Sequence, residues 1–257
     1  FGLEPASMTY CVGLRLNKGL VFMSDTRTNA GVDNVSVFRK MFSWQVPGER
    51  VLMLMTAGNL ATTQAVVSLL DERTKAPHER NPSILETPSM FQTARQVGET
   101  LRETIQSNAM SGQTADSAFN ATLILGGQIR GSEPRLFMIY PEGNFIEANG
   151  DTPFFQIGET KYGRPILVRA YDPDMSFEDA VKLMLVSFDS TIKANLSVGL
   201  PLDMQVYETG KFQLGASERI AGDDPYYQTI SANWGEALTQ ALKSLPDFHF
   251  SGKPDTS

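Results

Sequence analysis

T-Y-C-V-G-L-R-L-N-K-G-L-V-F-M-S-D-T-R-T-N-A-G-V-D-N-V-S-V-F-R-K-M, residues 9–41, places a hydroxyl, a carboxylate and an amine within one short segment. Tyr10, Val12, Leu14 and Leu16 alternate with Thr9, Cys11, Gly13 and Arg15, the period of two expected of a strand with one buried face. Asn17-Lys18-Gly19 reads as a tight hairpin turn, and residues 20–24 as the antiparallel return strand. The hairpin alone therefore brings Asp25 back beside Thr9.

A threonine hydroxyl is a poor nucleophile unless a base takes its proton, and the α-amino group of an N-terminal threonine supplies that base. Such an amine has a reference pKa of about 7.7 to 8.0, so an appreciable fraction is unprotonated near neutrality. Thr9 follows Met8, a residue commonly trimmed when it precedes a small one. Residues 1–8 carry no apolar run, basic stretch or periodicity, and read as a leader left from expression, outside the fold. Residues 9–257 are then expected to form one domain with a C-terminal helical extension. Taken singly, Thr9 also fits an ordinary strand residue, Asp25 a turn former and Lys40 a solvated surface amine. Cys11 is an alternative nucleophile, but it has no free amine beside it.

Composition narrows the function classes. The chain has 257 residues, 41% hydrophobic and 20% charged, enough for one large core. A formal charge of −7 argues against nucleic acid and anionic membrane surfaces as partners. No apolar run approaches the roughly 18 residues needed to span a bilayer. A single cysteine excludes an internal disulfide framework and a thiolate metal cluster, which makes the cytoplasm the default compartment. The two histidines, His78 in a proline-rich stretch and His249 near the end, suit neither a Ser-His-Asp triad nor a metal-binding pair. A hydrolase built on this chain needs another base, and the N-terminal amine meets that need.

Thr9, the D-T-R-T-N box at residues 25–29 and Lys40 in F-R-K-M resemble the threonine, aspartate and lysine of proteasome-type N-terminal nucleophile hydrolases. The start T-Y-C-V-G-L-R-L and the stretch S-D-T-R-T-N-A-G-V-D are similar to the bacterial subgroup Anbu, the ancestral β-subunit-like homologues. The resemblance implies Thr9 as nucleophile, Lys40 as the cation that lowers the hydroxyl's pKa, and Asp25 as the carboxylate that orients Lys40. It also extends to T-A-G at residues 56–58, which implies the Gly58 N–H in an oxyanion hole and Thr56 on the wall of a specificity pocket.

Further along, residues 41–46 and 51–55 read as a strand pair across Pro47-Gly48, followed by a helix over 59–74 and a loop over 75–88. Ser89, with Gln92 in the capping-box position, opens a second helix to about residue 110. F-N-A-T-L-I-L-G-G reads as a buried strand, and P-E-G-N at residues 141–144 as a hairpin turn. Residues 153–158 follow as another strand. Where the family has a Gly-Ser-Gly element, this chain reads I-G-E-T-K-Y-G, with Glu159 or Thr160 in the serine's place. A glutamate there either holds the amine charged, weakening it as a base, or assists proton transfer. Ser176 caps a third helix. The stretch L-S-V-G-L-P resembles the family's loop bearing a serine, here Ser197, although the aspartate expected three positions earlier is replaced by Ala194 or Asn195. Residues 218–220 suit a short strand, and Trp234, Leu238, Ala241, Leu242 and Leu245 recur at the spacing of a final helix.

Strand pairs, two helices, more strands and further helices imply an α+β fold, a four-layer αββα sandwich with Thr9 at the mouth of the cleft between the sheets. The function expected is a threonine peptidase cleaving peptide or amide bonds through an acyl-enzyme on Thr9. No metal or organic cofactor is implied. The resemblance further implies self-association into a ring or spiral, with helices 59–74 and 89–110 as the outward apolar surfaces; an ATP-dependent partner is not legible. The alternatives are a scaffold subunit that keeps the fold and lacks strong activity, and a small-amide acylase of the same superfamily.

Overall fold

The computed structural model describes residues 9–29, 35–75, 83–111 and 116–249. Residues 1–8, read from the sequence as a leader, lie outside them, as does His78. Strands β1 (Tyr10–Leu16) and β2 (Gly19–Asp25) form the expected hairpin, in register from Cys11 opposite Ser24 to Leu16 opposite Gly19. A short ribbon of β3 (Arg27–Asn29) and β4 (Val35–Val37) follows. Then come β5 (Met41–Val46), β6 (Arg50–Gly58), α1 (Leu60–Lys75) and α2 (Met90–Ser111). Strands β7 (Ala121–Ile129), β8 (Arg135–Ile139), β9 (Phe145–Glu147) and β10 (Phe154–Gly158) precede α3 (Arg164–Ala170) and α4 (Phe177–Ala194). The chain continues through β11 (Leu202–Glu208), β12 (Ser217–Ile220) and α5 (Pro225–Lys243).

Two antiparallel five-stranded sheets result, ordered β10-β1-β2-β11-β12 and β5-β6-β7-β8-β9. Three buried clusters define the layers. Tyr10, Val12, Leu14, Val21 and Met23 pack against Leu183, Met184 and Phe188 of α4. Leu52, Leu54, Leu123 and Leu125 pack against Val66 and Leu70 of α1 and Val97 and Leu101 of α2. Cys11, Leu20, Phe22, Met53, Met55, Ile124 and Leu136 fill the space between the sheets. This is the four-layer αββα sandwich expected from the sequence.

The central strands are therefore buried on both faces, each fully buried Leu or Phe contributing about 1.5–3 kcal/mol. For β1 this corrects the one-sided burial its alternation suggests: Cys11 is as inaccessible as Tyr10 and Val12. At Cys11 and Gly13 the polar-looking face is made of small residues because the second sheet lies against it; a Cβ at Gly13 would stand 3.1 Å from Leu136 Cδ1. The helices start where the sequence marks them. Asn59 Oδ1 accepts from Thr62 N at 3.0 Å, Ser89 Oγ from Gln92 N at 3.2 Å, and Ser176 Oγ from Asp179 N at 2.9 Å. Helix α3 and the β3–β4 ribbon have no counterpart in the sequence reading, since a seven-residue helix and three-residue strands are too short to show a period. Among the described residues no helix is long and apolar enough to cross a membrane.

The outward apolar surface also differs from expectation. Leu69 of α1 and Phe91 of α2 are exposed, but the larger accumulation lies on and after α5, at Leu238, Leu242, Leu245 and Phe248. The last two turns of α5 have no covering layer within the described chain.

Candidate active site

The hairpin register sets the first contact. Tyr10 N donates to Asp25 Oδ1 at 2.9 Å, so the carboxylate lies against the first peptide of β1, directly after Thr9. Lys40 reaches the same oxygen, its Nζ 2.8 Å from Asp25 Oδ1 and 2.6 Å from the Arg27 carbonyl. Asp25 is wholly buried and Lys40 only 4% exposed. Lys40 is positioned by its own backbone: its carbonyl accepts from Thr56 N at 2.9 Å as the chain enters β5, while Phe38 N donates to Thr26 O at 2.8 Å. The three residues that the sequence places in one segment, Thr9, Asp25 and Lys40, thus converge at one end of the sandwich.

Burial pushes the Asp25 carboxyl up to about 6, while Lys40 and the N–H groups of Tyr10 and Gly199 pull the other way. A carboxyl that titrates near 3.8 in the unfolded chain and near 6 in the fold contributes stability in full below the lower value. That contribution is lost as pH rises through about 6. The charged partner that Lys40 needs exists only above the same value, so stability and site electrostatics run in opposite directions across the window. Urea unfolding of the parent and Asp25→Asn from pH 4 to pH 7 checks this: the parent is expected to lose stability relative to the variant as pH rises. A constant difference across the window would refute it.

Strands β10 and β11 flank the hairpin and bring in the remaining candidates. Gly158 pairs with Tyr10, and Glu159 N donates to the Thr9 carbonyl at 2.7 Å. Gly158 has φ of +83°, and a Cβ there would lie 1.9 Å from that same carbonyl oxygen, so only glycine permits the approach. On the other side Leu202 pairs with Asp25, which delivers the loop of residues 195–201 to the site. Thr26 Oγ1 donates to Pro201 O at 2.7 Å and Arg27 Nη1 to Leu196 O at 2.9 Å, fastening that loop to the D-T-R box.

Glu159 turns its side chain into this neighbourhood. Its Oε2 accepts from Asn195 Nδ2 at 3.0 Å, and Asn195 Oδ1 accepts from both Ser197 N at 3.0 Å and Ser197 Oγ at 2.6 Å. Glu159 and Ser197, carried over separately on the resemblance, are therefore joined through Asn195. The sequence marks Asn195 only as a replacement for an aspartate; nothing in it shows that the amide bridges two other candidates. Arg27 likewise carries no signal of its own within the D-T-R box.

Thr56 shares a face of β6 with Leu52 and Leu54, the side towards α1, and is buried. Gly58 ends the strand two residues on, exposed, with φ of +114°; a Cβ there would stand 2.4 Å from the Asn120 carbonyl. Cys11 points into the core between the sheets, its Sγ 3.7 Å from Thr56 O. Burial raises its thiol far above the usual range, so it is held protonated and out of reach of a substrate. His249 is exposed in the C-terminal segment, apart from this cluster. Surface cavities of about 420, 170 and 480 Å³ are lined by α1 and α2, by the edges of β5, β11 and β12, and by α3, α4 and α5. None of them is lined by Thr9, Asp25 or Lys40, and the site is defined by its bonded cluster and not by cavity volume.

Known proteins place the chain. The model of the family described as "Proteasome subunit" matches residues 8–206. Anbu from Yersinia bercovieri is 48% identical, with a TM-score of 0.88 over 94% of this chain and all of that one. Anbu from Hyphomicrobium sp. strain MC1 is 50% identical, with a TM-score of 0.85 over 94% of this chain and all of that one. An Anbu complex from Pseudomonas aeruginosa, described as a helical assembly, is 45% identical, with a TM-score of 0.87 over 95% of this chain and all of that one. No curated protein matches. A match across most of the chain to the family model, and near-half identity to Anbu chains over their full length, agree with the threonine, aspartate and lysine found together here: the chain belongs to the proteasome subunit family and, within it, to the Anbu group.

Proposed function

We propose that this chain is a threonine-type peptidase whose nucleophile is Thr9 with a free α-amine. The observation that carries the reading is the buried Asp25–Lys40 pair, bonded to the peptide directly after Thr9. The amine takes the hydroxyl proton as Oγ1 attacks the substrate carbonyl, forming a tetrahedral oxyanion that the Gly58 N–H stabilises. The amine then gives that proton to the departing amine of the substrate, leaving an ester on Thr9. Water, deprotonated by the same amine, hydrolyses the ester. Asp25 holds the Lys40 ammonium in place, and the ammonium's field favours the alkoxide over the hydroxyl. Thr56, beside the start of α1, borders the pocket that takes the substrate side chain.

Removal of Lys40 tests this directly. Lys40→Ala is expected to slow hydrolysis by about 10²-fold or more, the loss typical of deleting one preorganised electrostatic stabiliser. It also strands a buried carboxylate, at a cost of about 3–5 kcal/mol in urea unfolding. Asp25→Asn loosens the hold on Lys40 without removing its amine and is expected to slow the reaction less. The paired change Asp25→Asn/Lys40→Met should regain most of the stability and none of the rate. Parental turnover in Lys40→Ala would make the ion pair purely structural and favour the scaffold reading.

We further propose that the subunit works as part of a self-associated assembly. Support comes from the Pseudomonas aeruginosa relative described as a helical assembly and from the uncovered leucines of α5. Leu238 and Leu242 are 51% and 71% exposed on one helical face, four residues apart. Light scattering at micromolar concentration is expected to give a mass several times 28.3 kDa, reduced in Leu238→Glu/Leu242→Glu. A monomer in the parent would end this part of the reading.

A further inference from the structure

The side chain directly after Thr9 turns towards α4 and ends in a hydrogen-bonded series whose direction is fixed. The Tyr10 hydroxyl lies 2.7 Å from Ser187 Oγ and 2.6 Å from Gln156 Nε2, and Ser187 Oγ lies 3.1 Å from the Gly163 carbonyl. A carbonyl only accepts, so the single Ser187 proton goes to Gly163. Ser187 then accepts from Tyr10, whose proton is spent there, and Tyr10 accepts from the Gln156 amide. Burial keeps the phenol protonated, as this order requires. The fit is close: a Cβ at Gly163 would stand 2.2 Å from the Tyr10 hydroxyl and 2.3 Å from Ser187 Oγ.

This series closes one end of the segment that lies against Thr9. At residue 159 the segment begins with the Glu159 N–H, bonded to the Thr9 carbonyl at 2.7 Å, and at residue 163 it ends on Ser187. Between them the Thr160 carbonyl accepts from Arg164 N at 3.2 Å and faces Gln156 Nε2 at 3.5 Å. Lys161 and Tyr162 are exposed, so polar bonds at the two ends carry much of the segment's attachment. We infer that the Tyr10 hydroxyl is a positioning group: through Ser187 and Gln156 it fixes residues 159–163, and through the Glu159 N–H it fixes the backbone of Thr9. One segment thus holds residues 9 and 10 together, once by main chain and once through the phenol. The consequence for rate rests on the hydrolase reading above: Thr9 attacks from a backbone set by this segment, and a misplacement of about 1 Å costs about 10²-fold.

Tyr10→Phe keeps the ring against Phe188, whose centroid is 4.4 Å away, and deletes only the hydroxyl. Amide exchange of residues 159–164 is expected to rise about tenfold or more, read at times short enough for β7 and β8 to stay protected. Covalent modification of Thr9 by a peptide epoxyketone, on a chain that begins at Thr9, is expected to slow about tenfold or more. The loss should fall on the maximal rate and not on the half-saturating concentration, because the segment holds Thr9 and not the pocket beside Thr56. Ser187→Ala breaks the same series, so Tyr10→Phe should do less in that background than in the parent. Ile139→Val, at a wholly buried site in the other sheet, lowers stability without touching the segment and should leave both readouts parental. Parental exchange or parental labelling in Tyr10→Phe, full additivity with Ser187→Ala, or an equal rate loss in Ile139→Val would each overturn the inference. If the parent itself is not modified, the hydrolase reading fails instead. Exchange at 159–164 then decides the positioning alone: a rise in Tyr10→Phe upholds it, and parental protection refutes it.

Discussion

Thr9→Ala is expected to abolish hydrolysis and covalent labelling altogether while leaving the fold in place. The substitution deletes a hydroxyl and a methyl group ahead of β1 and touches none of the backbone bonds that hold that end of the strand. Those bonds use the Thr9 carbonyl, which accepts from Glu159 N, and the following peptide, which donates to Asp25. Cys11→Ala is the matched control. Its thiol is enclosed between the sheets and kept protonated by burial, so its loss leaves a small core void and should retain activity. Far-ultraviolet circular dichroism and urea midpoints report the fold, and peptide turnover with mass-spectrometric mapping of the probe reports the chemistry. Turnover by Thr9→Ala comparable with the parent would move the nucleophile elsewhere.

An effect of the same size is expected from the residues in front of Thr9. Protein that keeps residues 1–8 attached should be inactive, and exposing Thr9 should create the activity. A peptide bond to Met8 turns the proposed base into an amide, which accepts no proton near neutrality. Self-cleavage is not expected to relieve the block, because Met8 presents a bulky side chain at the bond that would have to enter the site. The comparison is between the extended chain and one made to begin at Thr9, each N-terminus confirmed by mass spectrometry. Equal rates with an epoxyketone would show that the free amine is not the base. The Asp25–Lys40 pair would then need a different role, since its field assists an alkoxide only where some base has taken the proton.

Several features of the site follow from short-range pattern. A two-residue turn at Asn17-Lys18 and strands of equal length put Asp25 opposite Tyr10 whatever the rest of the chain does. The unbroken apolar runs L-V-F-M and V-L-M-L-M require cover on both faces, and a sandwich with helices outside supplies it. Caps at Asn59, Ser89 and Ser176 are local hydrogen bonds between residues three apart, so their side chains announce them. The D-T-R box and T-A-G were legible as parts of a familiar pattern. What each part touches was not.

By itself, then, the sequence determined the hairpin, the layer order and the presence of a hydroxyl, a carboxylate and an amine close together along the chain, because periodicity and turn chemistry act over a few residues. Tertiary structure alone decided the rest. Lys40 becomes a buried partner and not a solvated amine because β6 draws its backbone down through Thr56. Glu159 and Ser197 become one system because β10 and β11 are laid on opposite sides of the same hairpin, bringing together residues 36 apart at the Glu159–Asn195 contact. The direction of the Asn195 amide depends on both neighbours at once, and no reading of residues one after another contains that information.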